Sequence, residues 1–460
     1  MKQIKLILIL LFANIGILQI NGQDDITLPA AVQEELDNWQ DIKFGMIIHF
    51  GLYSYWGETE SWNICPSPYD WIHRDTTYEV YKERYWSAID SFAPINFNPD
   101  KWAEAAQDAG MKYVVFTTKH HDGFNMFDTK QTDFSITHGA FKDNPRSNIA
   151  KEVFAAFRDK DFKIGAYFSK PDWHNQDFWW DGLPVTNENA NYPVAEYPEK
   201  WNNYKNFVFN QLSEITGGGY GKIDILWIDG WNWVEEDIDL PAIALTTRTN
   251  NPAMLLVARK ATALDLSPEY ENYRTPEQTI PDEPLAYPWE SCITLSNSWG
   301  WMPGYESRCK PAEWVVRTLV EITAKGGNFL LGIGPKPDGT LSDEVVDILN
   351  KVGDWLSANG EAIYNTRPLP PYKEGNNFFT QSKDGSKKYI ITFEADGQMP
   401  VVKDYTALTP AFGENIGVVP SSGGIRIVQY NTIQYNKHLS AYYFHIQPFG
   451  GKNISGTNML

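Results

Sequence analysis

Between residues 40 and 335, short apolar runs alternate with longer amphipathic stretches. The apolar runs have the length of strands and are rich in β-branched and aromatic residues, whereas the stretches between them carry apolar residues at helical spacing. Strands that alternate with helices pair in parallel, because a parallel connection needs a long crossover. The strand-like runs are 44–48, 112–116, 163–167, 223–227, 254–257 and 328–331, and the helical candidates are 99–109, 149–160, 198–215 and 310–325.

Two features favour closure of this parallel sheet into a barrel. The strand-like runs are apolar nearly throughout, as strands buried on both faces must be. Polar residues follow several of them directly, and in a barrel the C-terminal ends of the strands meet at one mouth. The chain has no G-x-G-x-x-G turn of the kind that an open dinucleotide-binding sheet carries. The sequence therefore predicts an α/β fold, a (β/α)8-like TIM barrel, with a mouth formed by His49, 119–122, Ser169, Asp229 and Arg259.

The pattern changes towards the C-terminus. Residues 341–365 are predicted to form a last helix, with Ser342 as its N-cap. Beyond it, strand-like runs separated by Gly, Asn and Asp predict a C-terminal antiparallel β-sandwich. We expect a catalytic barrel domain over 23–366 and a sandwich domain over 367–460. The strand-like runs of the second domain are 388–393, 425–430 and 441–446.

The first 22 residues have the shape of a secretory signal peptide. Two lysines precede an apolar stretch, and a small residue lies just before Gln23 and two aspartates. The stretch is short for a membrane span and contains Asn14 and Gly16. We therefore expect residues 1–22 to be removed on export, leaving a mature chain without a membrane span, either in the periplasm or secreted.

The composition excludes several classes of partner. The chain has 39 Lys and Arg against 58 Asp and Glu, a formal net charge of −19. Nucleic acids and anionic membranes need a basic face, so we expect neither as a partner. Three cysteines without C-x-x-C spacing predict neither a disulfide scaffold nor a zinc site. Aromatic residues make up 14% of the chain, and their flat apolar faces suit a sugar ring as well as a protein core.

Two adjacent histidines, His120 and His121, follow the second predicted strand. Neighbouring residues of a strand point to opposite faces, so both can serve one pocket only if the backbone is irregular there. The chain has neither an H-E-x-x-H motif nor a further cluster of His or Cys. We therefore predict that these histidines hydrogen-bond a polar ligand, and we expect no metal and no cofactor.

Two carboxyl groups stand beside tryptophans. Asp229 ends an apolar run that contains Trp227, and Glu290 follows Trp289. A carboxylate in apolar surroundings must be hydrogen-bonded or used, and desolvation raises the pKa of a carboxyl that serves as a general acid. Glycoside cleavage needs such a pair, one carboxyl at the anomeric carbon and one that protonates the leaving oxygen. In a chain with 58 acidic residues, however, such a pair alone is weak support for that chemistry.

Five stretches carry a resemblance to a known family. Together they make the sequence resemble the α-L-fucosidases of glycoside hydrolase family 29 over nearly the whole mature chain. The stretches are KFGMIIHFGLYS at 43–54, TKHHDGF at 118–124, LWIDG at 226–230, KGGNFLLGIGP at 325–335 and NGEAIY at 359–364.

The resemblance implies a retaining mechanism in which Asp229 is the nucleophile and forms a covalent fucosyl intermediate. The acid/base occupies different sequence positions among family members; Glu290 is our predicted acid/base, and Glu277 is at the other position that relatives use. The residues implied to hold fucose are His49, Glu60, Trp62, His120, His121, Tyr167, Trp227, Arg259 and Trp299, the last against the methyl group of the sugar. The Glu-Trp pair of the relatives corresponds to residues 60 and 62, with one residue inserted between them.

The expected ligand is accordingly a fucosylated oligosaccharide or glycoconjugate, cleaved from its end. Two alternatives stay open: a glycosidase that prefers a related sugar, and a carbohydrate-binding protein without catalysis on the same barrel. The sequence leaves open the linkage, the group to which fucose is attached and the oligomeric state, because the loops around the mouth determine such properties.

Overall fold

The structure is a computed structural model that describes residues 28–66, 69, 72–230, 238–259 and 270–393, and five strands of the C-terminal region, given below. The predicted signal peptide, 1–22, lies outside the described residues.

Seven strands of the described chain form one parallel sheet. They are β1 (Phe44–Ile48), β2 (Tyr113–Lys119), β3 (Lys163–Ser169), β4 (Ile225–Asp229), β5 (Leu255–Val257), β6 (Glu290–Thr294) and β7 (Asn328–Ile333). Their order across the sheet is β5-β4-β3-β2-β1-β7-β6. Each strand-like run predicted for this region lies on one of them, whereas β6 was not predicted.

An irregular segment, 270–278, joins the two edge strands of this sheet. At β5, Asn272 donates its backbone N–H to the carbonyl of Leu256 at 2.8 Å, in antiparallel fashion. At β6, Glu290 donates its backbone N–H to the carbonyl of Arg274 at 2.8 Å, and here the two chains run parallel. The segment takes the place of an eighth strand and closes the sheet, which confirms the predicted barrel.

Helices surround the sheet, because each crossover must return over its outer face. Those in the described residues are α1 (Ala30–Ile42), α2 (Leu52–Trp56), α3 (Tyr78–Ser87), α4 (Pro99–Asp108), α5 (Ile149–Arg158), α6 (Pro198–Thr216), α7 (Leu240–Thr247), α8 (Ala312–Ala324) and α9 (Asp343–Asn359). All the predicted helices are present. Ser342 caps α9 as expected, since its hydroxyl accepts the N–H of Val345 at 3.4 Å.

Successive strand residues point alternately into the barrel and towards the helices. Ile47, Tyr167 and Trp227 belong to the inner of two buried clusters. Trp39 of α1 belongs to the same cluster, and its carbonyl accepts a hydrogen bond from the Asn328 side chain, at the start of β7, at 2.7 Å. Helix α1 therefore covers the N-terminal end of the barrel, and the C-terminal end is the open one.

The C-terminal region forms two antiparallel sheets. Their strands are β8 (Thr366–Glu374), β9 (Asn377–Ser382), β10 (Lys388–Phe393), β11 (Val401–Lys403), β12 (Leu408–Pro410), β13 (Ile416–Ser421), β14 (Gly424–Gln429) and β15 (Ala441–Ile446). The strand orders are β12-β15-β10-β9-β8 and β11-β14-β13. This agrees with the predicted sandwich, while the boundaries 23–366 and 367–460 stay predictions. In the part of the chain that the structure describes, no helix combines the length and apolar character that crossing a bilayer requires.

Candidate active site

A narrow cavity of about 60 Å³ opens at the C-terminal ends of the barrel strands. Eleven residues were predicted from the sequence to form the site, and the structure brings ten of them together here. The cavity is lined by Ile47, His49, Glu60, Trp62, His120, His121, Tyr167, Trp227, Asp229, Arg259, Glu277 and Trp299.

Asp229 is the last residue of β4, and its carboxylate is held from two sides. Tyr167 Oη donates to Oδ2 at 2.6 Å, and Arg259 Nη1 donates to Oδ1 at 2.7 Å. Burial alone would raise the pKa of Asp229, but the Arg259 charge, His121 and the Tyr167 hydrogen bond outweigh it and hold this pKa below its ordinary value. The carboxylate is therefore ionised at neutral pH, as a nucleophile must be.

The chain turns sharply away after Asp229. Gly230 has φ 109°, and a Cβ at this position would collide with Pro171. Only glycine adopts this backbone conformation without strain. The Asp-Gly pair of the LWIDG stretch thus leaves the carboxylate in the lining of the cavity while the backbone turns away from it.

Glu277 shares the guanidinium of Arg259 with Asp229. Arg259 Nη2 donates to Glu277 Oε2 at 2.7 Å, and the Glu277 side chain is 29% exposed, against 10% for Asp229. Arg259 has φ 47°, and Gln278, which follows Glu277, has φ 52°. Both values lie in the left-handed region of backbone conformation, which costs energy for residues other than glycine. The structure thus places the carboxyl groups of Asp229 and Glu277 on the two terminal nitrogens of one guanidinium, and Glu277 is the more exposed of the two.

Both adjacent histidines reach the cavity because the backbone is irregular there. The register of β2 with β3 shifts between Thr117 and Lys119, and the strand ends before His120. The two imidazole rings lie 4.1 Å apart between centroids. From the sequence, both side chains were expected to share one pocket only if the backbone is irregular here, and the structure shows that irregularity.

Hydroxyl groups orient these two rings. Ser61 Oγ lies 2.6 Å from His120 Nδ1, and Ser169 Oγ lies 2.7 Å from His121 Nδ1. Because a hydroxyl holds Nδ1 of each ring, Nε2 lies at the edge of the ring away from that hydroxyl. His121 Nε2 lies 3.9 Å from Asp229 Oδ2, so its ring faces the nucleophile candidate directly.

The histidines of the cavity are neutral. Burial lowers the pKa of His49 to about 3 and that of His121 to about 4, and it lowers the pKa of His120 well below its ordinary value. A neutral imidazole both donates and accepts a hydrogen bond, as a sugar hydroxyl does. Three neutral rings therefore suit an uncharged, hydroxyl-rich ligand.

Glu60 and Trp62 lie in the cavity, although one residue separates them. Ser61, the inserted residue, turns towards His120 and also accepts the backbone N–H of Asp122 at 3.1 Å, while Glu60 has φ 38°. Glu60 Oε1 accepts the backbone N–H of Trp299 at 2.7 Å, so it fixes the loop that carries this ring. The insertion is thus accommodated by local strain, and both predicted side chains stay at the site.

The ring of Trp299 packs over β7. Gly332 on this strand leaves the room it needs, since a Cβ there would lie 2.7 Å from the indole. The Trp299 ring also lies close to His49 in the cavity, with the two ring centroids 5.0 Å apart. Close packing against the Trp299 ring therefore explains why the KGGNFLLGIGP stretch has glycine at position 332.

Glu290 is the predicted site residue that the structure places elsewhere. It is the first residue of β6, paired with Asn328, the first residue of β7, and it is fully buried. Tyr113 Oη donates to Glu290 Oε2 at 2.6 Å and Trp227 Nε1 donates to Oε1 at 3.2 Å. Since the mouth is at the C-terminal ends of the strands, Glu290 lies below it, in contact with Trp227, and does not line the cavity where its predicted role as acid/base would place it.

Sequence reasoning missed the groups that orient the cavity rather than line it. Ser61 gave no signal beyond its place between two predicted site residues. The strand β6 was missed because Ser291 and Thr294 break its apolar pattern. Had this strand been predicted, Glu290 would have fallen at its first residue and Glu277 in the preceding loop.

Other features of the described residues do not compete with this site. They contain no group of three or more His, Cys, Asp or Glu side chains placed to hold a metal ion, and Cys65, Cys292 and Cys309 form no disulfide. A larger cleft of about 830 Å³, beside α8 and α9, is lined by Glu306, Glu313 and Asp347 among others and shares no lining residue with the cavity at Asp229.

Comparison with known proteins gives the family. The family model described as alpha-L-fucosidase matches residues 18–361. The chain belongs to the α-L-fucosidase family. This confirms the predicted family, and the five stretches of resemblance lie within or at the edge of the matched region.

The chain is similar to individual relatives over most of their lengths. The chain is 28% identical to human plasma alpha-L-fucosidase over 370 residues, 74% of this chain and 72% of the relative. It is 26% identical to the Dictyostelium discoideum alpha-L-fucosidase, over 86% of this chain and 85% of the relative. Among solved structures, alpha-L-fucosidase isoenzyme 1 from Paenibacillus thiaminolyticus is 27% identical, with a TM-score of 0.74 over 90% of this chain and 99% of that chain.

Proposed function

We propose that the chain hydrolyses terminal α-L-fucosides with retention of configuration, with Asp229 as nucleophile and Glu277 as acid/base. The observation that carries the proposal is the pair of carboxylates on Arg259, each 2.7 Å from one of its terminal nitrogens, at the mouth of a barrel of this family. Family membership supports the predicted class of enzyme over a binding protein, and the intact carboxylate pair argues against a catalytically decayed barrel.

In the first step, Asp229 Oδ attacks the anomeric carbon of fucose, and the bond from this carbon to the leaving oxygen breaks. Glu277 acts as the general acid and gives a proton from its carboxyl group to that oxygen as the bond breaks. The product is a fucosyl ester of Asp229 and a free alcohol. Asp229 suits this role because its lowered pKa keeps it ionised.

In the second step, Glu277 as carboxylate takes a proton from a water molecule, which attacks the anomeric carbon and releases Asp229. Two displacements restore the original configuration. Inverting enzymes hold their carboxyl groups roughly 6.5–9.5 Å apart to leave room for water, whereas retaining pairs are about 5–5.5 Å apart. Two carboxylates on adjacent nitrogens of one guanidinium favour the closer arrangement.

Recognition of fucose is divided between polar and apolar walls. We assign hydroxyl recognition to the neutral imidazoles of His49, His120 and His121, which lie together on one side of Asp229. The indole of Trp299 offers an apolar face to the methyl group that distinguishes fucose from galactose-like sugars. Glu60 supports this face through the backbone of Trp299.

Incubation of the protein with 4-nitrophenyl α-L-fucoside tests the function. We expect release of nitrophenol, and proton NMR should show α-fucose as the first product before mutarotation. Release of β-fucose first would contradict retention. Turnover of the matching α-galactoside at a higher kcat/KM would favour the related-sugar alternative.

Tyr167→Phe should lower kcat/KM and move its acid limb. The substitution removes one hydrogen bond to a charged group, worth about 1.5–3 kcal/mol, so a loss of roughly 10- to 100-fold is expected. Since this hydrogen bond lowers the pKa of Asp229, its removal raises that pKa. The acid limb of the profile should therefore move to higher pH. A pH profile of kcat/KM on the nitrophenyl fucoside checks this; an unmoved acid limb at full activity would contradict it.

We also propose that the protein is exported, with residues 1–22 as a cleaved signal peptide, to the periplasm or the medium. The support is the sequence of this segment and the similarity to the human plasma alpha-L-fucosidase, whose name places it outside cells. The intact mass of protein recovered from its native host checks the cleavage.

A further inference from the structure

A second, wider cleft of about 600 Å³ lies near the catalytic cavity. We name it the aromatic cleft and define it by six of its lining residues, Tyr78, Glu79, Trp86, Trp173, Trp180 and Asp181. It is about ten times as large as the cavity at Asp229, and its volume is in the range of about 300–1,000 Å³ that small-molecule sites have.

The aromatic cleft opens on the same face of the barrel as the catalytic cavity. One wall comes from α3, in the connection after β1, and the other comes from residues 173–185, in the connection after β3. Connections that leave the C-terminal ends of barrel strands form the mouth. The cavity and the cleft are therefore both built on connections at this mouth.

A wall two indoles thick separates the cleft from the cavity. Trp173 lines the cleft, and its ring centroid lies 5.5 Å from that of Trp62 and 5.3 Å from that of His121. Trp62 and His121 both line the catalytic cavity. The cleft and the cavity are thus neighbours across these rings.

We propose that the aromatic cleft binds the uncharged sugar residues to which fucose is attached, that is, the leaving group of an oligosaccharide substrate. This inference rests on the proposed function, because it names the partner of the same bond. The catalytic cavity supplies chemistry and fucose recognition, whereas the cleft selects what fucose is attached to.

The side chains of the cleft favour an uncharged saccharide over other occupants. Trp86 and Trp180 are only partly buried. The Lys82 ammonium lies 5.2 Å from the ring centroid of Trp86, and the Lys200 ammonium lies 5.1 Å from that of Trp180, so each ring offers a sugar only the part of its surface that these cations leave open. The exposed carboxylates of Glu79 and Asp181 can accept hydrogen bonds from sugar hydroxyls. With Glu83 also in the lining, the acidic groups outnumber Lys82, which disfavours an anionic ligand.

Trp180→Ala and Trp86→Ala test the proposal, each on two kinds of substrate. With 4-nitrophenyl α-L-fucoside, whose leaving group is not a sugar, we expect kcat/KM to stay within about twofold of the wild type. With 2′-fucosyllactose and 3-fucosyllactose, whichever the wild type cleaves, we expect kcat/KM to fall about tenfold or more, as for an aromatic hot spot. Trp180→Phe, which keeps a ring, should recover most of the loss.

Trp314→Ala is the matched control, since Trp314 is also a partly buried tryptophan but lines neither the aromatic cleft nor the catalytic cavity. It should leave the ratio of the two kcat/KM values unchanged. Equal losses on both kinds of substrate, no loss on the fucosyllactoses, or a wild type that cleaves the aryl fucoside but neither fucosyllactose would overturn the inference. A wild type that cleaves no fucoside at all would instead overturn the proposed function.

Discussion

Asp229→Asn is expected to abolish turnover of every fucoside, with kcat reduced by about 10⁴-fold or more, as for the loss of a covalent nucleophile in other enzymes. An amide cannot attack the anomeric carbon as a carboxylate does, and it places a neutral group against Arg259. Because asparagine has nearly the same shape, the fold should persist. Kinetics on the nitrophenyl fucoside and the thermal unfolding midpoint check both parts.

A small anion supplies the control for this variant. Azide can enter the space beside the amide and attack the anomeric carbon from the same side, which would yield a fucosyl azide of inverted configuration in Asp229→Asn but not in the wild type. Activity of the variant within tenfold of the wild type, without azide, would contradict the assignment of Asp229.

Glu277→Gln should show a loss that depends on the leaving group. A poor leaving group, such as the sugar hydroxyl of a fucosylated oligosaccharide, needs the proton of Glu277, and general acid–base catalysis contributes about 10²–10⁴-fold. Nitrophenolate leaves without a proton, so its departure should suffer far less. The ratio of kcat/KM for a fucosylated oligosaccharide to that for the nitrophenyl fucoside should therefore fall by about 10²-fold or more.

Glu290→Gln is the matched carboxyl-to-amide control. Its side chain meets Tyr113 and Trp227 below the mouth, where no leaving group can reach it, so any loss should be the same for both substrates. If Glu290→Gln shows the loss that depends on the leaving group and Glu277→Gln does not, the first prediction from the sequence stands and the geometric reassignment is wrong.

Much of the barrel could be predicted because its strands are buried on both faces. Such strands appear as continuous apolar runs, and the polar residue at each end marks the mouth, as for His49 after β1 and Asp229 at the end of β4. Helix ends could be predicted equally well where a side chain caps them, as Ser342 caps α9. Local composition was sufficient for these elements.

The acid/base could not be placed in the same way. Its position depends on segment 270–278, which is neither a regular strand nor a helix and which closes the barrel by hydrogen bonds to both edge strands. Burial does raise the pKa of Glu290, to about 7, as the neighbouring Trp289 suggested. A raised pKa marks a carboxyl as buried, however, and only the position along β6 tells which end of the barrel it occupies.

The contacts of the orienting hydroxyls could not be predicted for a related reason, although Ser169 itself was expected at the mouth. Ser61 and Ser169 are 59 and 48 residues from the histidines they contact, so no local pattern connects them. The strained backbone at Glu60 and Arg259 likewise follows from the surrounding packing, not from the residue types. Long-range contacts of this kind decide the geometry of the cavity once the barrel has placed its parts.

The covalent intermediate on Asp229 is the central claim, and a slow-reacting substrate tests it directly. After incubation with 2-deoxy-2-fluoro-α-L-fucosyl fluoride, mass spectrometry should find one fluorofucosyl group per chain, and peptide mapping should place it on Asp229. A label on another residue, or steady turnover of this compound with the chain unlabelled throughout, would contradict the account.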